Sequence, residues 1–143
     1  MYRCKHFDIR ELVPEQEYRT MGDAAWWLLD TRMLITLDAL HDRYGIIIVN
    51  TWHSQRLQQH YGFRDQSGYR NRFHYGSMAQ YLRSHSQHKY GRAADSLIIG
   101  STAAQVRKDI IDNPEWFPLI GAIEDNVNWL HFDVRNCEPL MVF

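Results

Sequence analysis

The sequence predicts an α+β domain in which a small antiparallel sheet is flanked by helices. Three observations carry that expectation. Helical periodicity is confined to one stretch before residue 45 and another after residue 101. Short β-branched or apolar runs stand at 46–49, 93–99, 119–123 and 127–134. Residues 50–85 keep no sustained period and are rich in Gln, Arg, Tyr, His and Gly. The resulting order is helix, strand, long loop, strand, helix, hairpin, which is the segregated pattern of an α+β fold.

Each element has a local reason. Residues 7–13 mix apolar and charged side chains and are expected to lay an N-terminal segment on the core. From 23 to 41, Ala24, Trp27, Leu28, Leu34, Leu37 and Leu40 recur at three- and four-residue steps, which predicts one helix. Gly22-Asp23 would cap its start and Gly45 its end. The run 46–49 is β-branched and too short for a helix, so it reads as a buried strand. A second strand covers 93–99 and closes at Gly100. Thr102 and Gln105 have capping-box spacing and open a helix that must stop before Asn113-Pro114. The two last strands form a hairpin turned at Asp125-Asn126. A structureless stretch as long as 50–85 is expected to be functional.

Composition sets the outer bounds. A chain of 143 residues with 45% hydrophobic content predicts a single domain over 1–143 with a proper core. No apolar run approaches the roughly 20 residues that cross a bilayer, so no membrane partner is expected. The start, Met1-Tyr2-Arg3-Cys4-Lys5-His6-Phe7-Asp8, has no apolar core of a signal peptide. Cys4 and Cys137 read as two free thiols, with a disulfide joining the chain ends as the alternative. Two cysteines also rule out a thiolate-rich closed zinc site. A net charge of −1 argues against a nucleic-acid partner. The charge is uneven, however. Between Gln55 and Arg92 stand Arg56, Arg64, Arg70, Arg72, Arg83, Lys89 and Arg92, with Asp65 as the sole acid. That segment would surround an anionic ligand with positive field.

The chemistry concentrates in Ser86-Gln87-His88-Lys89-Tyr90-Gly91-Arg92-Ala93-Ala94-Asp95 and in Trp129-Leu130-His131-Phe132-Asp133. Two imidazoles and one carboxylate from separate segments would leave one position of a tetrahedral metal open, as catalytic sites do. The seven-residue step from His88 to Asp95 is wrong for a helical pair, so these groups would come from a loop and the strand after it. Gly91 lets the backbone turn or approach closely, and Ala93-Ala94 lets the strand pack tightly. By the period of two, Trp129, His131 and Asp133 share a face, which makes Asp133 either a support for the metal site or a cap for a nearby amide.

This pattern resembles the LAS-type zinc peptidoglycan peptidases, which comprise D-Ala-D-Ala carboxypeptidases, dipeptidases and phage L-alanyl-D-glutamate endolysins. Ser86, His88, Gly91, Ala93 and Asp95 match the family's SxHxxGxAxD signature, and Trp129, His131 and Asp133 its WxHxD-like segment. Ser67, Gly68, Tyr69 and Arg70 match its SGYR stretch. The likeness runs from residue 7 to Arg135. It implies the hedgehog/D-Ala-D-Ala peptidase-like fold, with His88, Asp95 and His131 as zinc ligands. It further implies that Arg70 binds a substrate carboxylate or carbonyl and that Ser86 contacts the bound peptide. The implied substrate is a peptidoglycan stem peptide. The implied setting is phage, with synthesis in the host cytoplasm and action at the cell wall or from the virion, where other virion proteins would be partners.

One position departs from the family. A carboxylate normally stands three residues before the last histidine ligand, to take a proton and pass it to the leaving amine. This chain has Asn128 there. Glu124 is the expected substitute, with Asp125 beside it and His53, His74 and His85 as lesser candidates. Three readings remain from the sequence: an active zinc peptidase with Glu124 as relocated base, a zinc-binding relative without catalysis that serves a virion or binds the wall, and a single-stranded nucleic-acid binder. The last would use Tyr61, Phe63, Tyr69, Phe73, Tyr75 and Tyr81 among the basic residues.

Overall fold

The computed structural model describes residues 1–136 and 138–143. The N-terminal segment lies on the core as expected, with Phe7, Ile9, Leu12 and Val13 buried. Helix α1 (Glu15–Met21) follows directly, and the sequence reading had no element there. The single helix expected over 23–41 is two elements. A 3-10 segment, Gly22–Leu28, ends at Leu29, and helix α2 (Thr31–Tyr44) starts afresh. The Asp30 side chain accepts from the Arg32 amide and caps α2, in place of the expected Gly22-Asp23 cap. Asp30 is fixed from across the fold, because its own amide donates to the Gly91 carbonyl at 2.9 Å. The change of helix type also shifts the buried positions by one. Ala25, Trp26 and Leu29 face the core, whereas Trp27 is 74% exposed.

Strand β1 (Ile47–Ile48) emerges from α2 at Gly45, whose φ of 83° suits glycine. The stretch read as a long loop contains two short helices, α3 (Gln55–Tyr61) and α4 (Met78–Arg83), capped by Ser54 and Ser77. Neither buries a residue, so neither leaves an apolar stripe in the sequence. Lys89 closes the end of α4, its Nζ donating to the Tyr81 and Ser84 carbonyls at 2.8 and 2.9 Å.

Strand β2 (Ala93–Ile98) and helix α5 (Ala103–Asp112) stand where the sequence places them. The Thr102–Gln105 capping box forms in full. The hairpin is β3 (Ala122–Ile123) and β4 (Leu130–Asp133), with Asn126 at φ 58° in its turn. A last strand, β5 (Met141–Val142), completes a five-stranded sheet of order β1-β2-β4-β3-β5. All pairings are antiparallel except β3 with β5, so the sheet is mixed and not purely antiparallel. Ala94, Ile98, Leu130, Phe132 and Val134 join Met33, Leu34, Leu37 and Leu40 of α2 in the hydrophobic core. None of the described helices is long and apolar enough to cross a membrane. Cys4 is a half-buried free thiol whose Sγ reaches the Leu34 carbonyl at 3.4 Å. Burial, then the nearby Asp38 carboxylate, pushes its pKa up. Cys137, its proposed disulfide partner, lies outside the described residues.

Candidate metal centre

Strand register assembles the site. β2 and β4 pair so that Asp95 stands opposite His131. β3 and β4 pair Ile123 with Phe132, and one step beyond β3 the Glu124 amide donates to the His131 carbonyl at 3.3 Å. Glu124, His131 and Asp95 therefore form a row across three neighbouring segments, on one face. Directly opposed residues of this kind hold their Cβ atoms about 4.5–5.5 Å apart. The other face carries Ala94, Leu130 and Phe132 into the core. A one-residue slip would exchange the two faces, so core burial fixes the row.

His88 comes from the 3-10 turn Gln87–Tyr90, which ends at Gly91 with φ 64°. A Cβ at Gly91 would lie 2.0 Å from the Leu28 carbonyl oxygen, so only glycine fits there. The Ser67, Gly68, Tyr69 and Arg70 stretch forms a bracket behind both segments. The Asp95 amide donates to the Ser67 carbonyl at 2.7 Å and the Arg70 amide to the His88 carbonyl at 3.1 Å. His88 Nδ1 lies 2.7 Å from the Gly68 carbonyl and must donate to it, which leaves Nε2 with its lone pair free for the site. Tyr69 anchors the bracket, its amide donating to the Leu12 carbonyl at 2.8 Å. Arg64, in the sequence only one of the bases of the 55–92 segment, ties the same parts together. Its Nε donates to the Val49 carbonyl and its Nη2 to the Asp95 carbonyl, both at 2.9 Å.

Three ligand atoms converge. His88 Nε2 lies 3.3 Å from His131 Nδ1 and 3.3 Å from Asp95 Oδ1. His131 Nδ1 and Asp95 Oδ1 are 2.7 Å apart, a hydrogen bond. Bonds of about 2.0–2.1 Å to a tetrahedral ion set neighbouring donor atoms roughly 3.3–3.4 Å apart. Two of the three edges already have that length, and the third needs the shared proton to leave and the pair to open by about half an ångström. His88, Asp95 and His131 thus form a buried, possible metal-binding triad.

The charges within it are strongly coupled. Burial lowers the His88 pKa and keeps that ring neutral, the state a metal ligand needs. Burial opposes the charge on Asp95, but the hydrogen bond from His131 Nδ1 and the imidazolium charge beside it outweigh burial and hold the carboxyl well below the usual carboxylate range. His131 is likewise penalised by burial, yet Asp133 and Asp95 on its two sides raise its pKa to about 9. Asp133 Oδ2 sits 3.7 Å from His131 Nε2 and is fully buried. Its charge is balanced by Arg135, which contacts it at 2.5 Å. Of the two roles expected of Asp133 the amide cap is formed, since it accepts the Arg135 amide at 3.1 Å, and its carboxylate also lies beside His131.

A cavity of about 320 Å³ opens beside the triad. Arg70, Ser86, Glu124 and the motif residue Trp129, all singled out in the sequence, line it together with Gln87, Arg135 and Phe143, to which the sequence reading assigned no role. Arg70 does not point freely into this space. Its Nη2 pairs with Asp95 Oδ2 at 2.5 Å and its Nε donates to the Gln66 carbonyl at 2.8 Å. Two buried polar atoms of the lining, Gln87 Oε1 and Trp129 Nε1, have no hydrogen-bond partner among the described residues. Gln87 Nε2 donates to the His85 carbonyl at 3.3 Å, so the oxygen is the atom left over.

Asn128 stands elsewhere. It is exposed and lines a different cavity with Ser96, Leu97 and Arg107. Position 128 lies in the bend that precedes β4, outside the strand that carries His131. Asp125 is exposed too and pairs with Arg107 at 3.4 Å. His53 packs edge-on against Trp52, and neither His53, His74 nor His85 lines the triad cavity. Of the candidates for a proton acceptor, Glu124 is the one the fold brings to the triad. Comparison of the chain with models of protein families, with curated proteins and with solved structures finds no match.

Proposed function

We propose that the chain is a zinc-dependent peptidase-like protein acting on peptidoglycan stem peptides. The observation that carries this reading is the transverse row of Glu124, His131 and Asp95, with His88 Nε2 closing the donor set at 3.3 Å. Two imidazoles and one carboxylate are the donors of open, hydrolytic zinc sites, and the absence of thiolates fits catalysis better than a structural role. Zinc held there would polarise a carbonyl and favour attack by water at neutral pH. The remaining work falls to the chain itself. Glu124, half-buried beside His131, takes a proton and returns it to the leaving amine. Ser86, Gln87 and Trp129 form the cavity wall against which the peptide lies. Arg70 fixes Asp95 from the cavity wall.

A second reading keeps zinc and fold without hydrolysis. It is favoured by the amide at position 128 and by Arg70, whose guanidinium is engaged by Asp95. Release of new amino groups from purified peptidoglycan separates the two. On the first reading, zinc-loaded protein releases them, and Glu124→Gln lowers the rate about 10²–10⁴-fold with zinc retained. Asn128→Ala leaves the rate unchanged. No release by the zinc-loaded wild type establishes the second reading, and full activity in Glu124→Gln removes the base assignment.

A further inference from the structure

A second cluster of metal-ligating side chains lies on the opposite end of α2 from its cap. His6, in the N-terminal segment, stacks on His41 with ring centroids 4.1 Å apart and planes 6° from parallel. His6 Nε2 contacts Asp42 Oδ1 at 2.7 Å. One ligand atom from each of His6, His41 and Asp42 falls within 4.8 Å of the other two. None of the three takes part in the site described above.

The backbone around these rings is already fixed. Asp38 is buried, and its carboxylate accepts the Lys5 amide at 2.9 and 3.1 Å and the His6 amide at 3.2 Å. Tyr2 donates to the same carboxylate at 2.7 Å. Phe7 packs edge-on with His41, ring centroids 5.9 Å apart. The chain thus holds two imidazoles and a carboxylate together at low entropic cost to a ligand. Imidazole nitrogens with one carboxylate suit a borderline divalent ion such as Zn²⁺, Ni²⁺ or Cu²⁺ and not Mg²⁺ or Ca²⁺.

We propose that His6, His41 and Asp42 form a second, solvent-accessible site for a divalent transition ion, which staples the N-terminal segment to the last turns of α2. A nitrogen lone pair lies in the plane of its ring, so coordination fans the stacked rings apart. The exposure of His6 permits that rotation. The site is weaker and faster to exchange than the buried triad, because water competes for the open positions.

Titration calorimetry with Ni²⁺ on metal-stripped protein tests this directly. Wild type is expected to bind two ions per chain, and the His6→Gln/His41→Gln double variant to lose one. His88→Ala protein, with the buried triad broken, is expected to keep the accessible ion. Added Ni²⁺ then raises the thermal midpoint of His88→Ala protein, and this shift disappears when His6→Gln is added. Equal stoichiometry in wild type and the double variant overturns the proposal. So does a midpoint shift in the His88→Ala background that survives His6→Gln. Both outcomes are independent of any peptidase activity.

Discussion

A methyl group at position 68 would sit 2.2 Å from the Leu12 carbonyl oxygen, well inside contact distance. Gly68 is therefore the residue on which the bracket behind His88 and Asp95 depends. Gly68→Ala is expected to cost about 2–3 kcal/mol in a denaturant melt, because backbone and not a side-chain tip must move. The same variant should weaken metal binding, since the Gly68 carbonyl orients the His88 ring. Asp133 gives the complementary case. Replacing it by Asn keeps the shape but removes the charge beside His131, and metal affinity is expected to fall roughly 10–100-fold by competition with a chelator. An unchanged affinity would mean that Asp133 serves Arg135 alone. At this scale the sequence was highly legible for the ionisable residues, because their types and spacings are the chemistry. It gave no role to Gln87 and named Trp129 only as part of a motif, because their places in the cavity wall exist only once the chain is folded.

Elements tell a different story. The helix Ala103–Asp112 was readable to the residue, since Thr102, Gln105 and Pro114 write its start and stop locally. The split between Gly22–Leu28 and α2 was not, because apolar residues continue across Leu29 and Asp30 at helical spacing. What breaks the helix is distant: the Asp30 amide bonds the Gly91 carbonyl. An N-cap aspartate at position 30 was still a signal that the pattern contained. Asp30→Ala is expected to cost about 1 kcal/mol at neutral pH. Arg32 first, aided by its backbone amide and by Arg92, lowers the Asp30 pKa against the opposing effect of burial. A carboxyl depressed in the folded state stabilises above its unfolded pKa and loses that effect as pH falls through the folded one. The penalty of Asp30→Ala, read from thermal melts, should thus be full at pH 7 and shrink below about pH 4. A penalty that stays constant to pH 2 would contradict the cap. β5 escaped sequence reading for a similar reason, being two residues long and defined by a parallel partner far behind it.

Across the whole molecule, one sheet face builds the core and the other builds the site, and the long 50–85 stretch bridges them. Its aperiodic sequence is explained by that task. Arg64, Ser67 and Gly68 spend their polar groups on carbonyls and amides of β2 and the His88 turn, not on helix or strand ladders. Metal binding should consequently stabilise the fold as a unit. An ion at 100 times its dissociation constant adds about 2.7 kcal/mol, since the unfolded chain does not preform the triad. For a chain of this size that corresponds to a rise in melting midpoint of roughly 8 °C, reversed by a chelator and, in His131→Ala, reduced to whatever shift the His6, His41 and Asp42 cluster supplies. A midpoint indifferent to zinc and chelator would contradict the linkage.

The central claim is that His88 Nε2, Asp95 Oδ1 and His131 Nδ1 hold one ion beside Glu124. Anomalous diffraction at the zinc edge, from crystals grown with zinc, tests it most directly. The account predicts a peak within bonding distance, about 2.0–2.2 Å, of all three atoms, with the Glu124 carboxylate facing the open position. A triad that stays closed by the His131–Asp95 hydrogen bond, with no anomalous peak between the three residues, would contradict it.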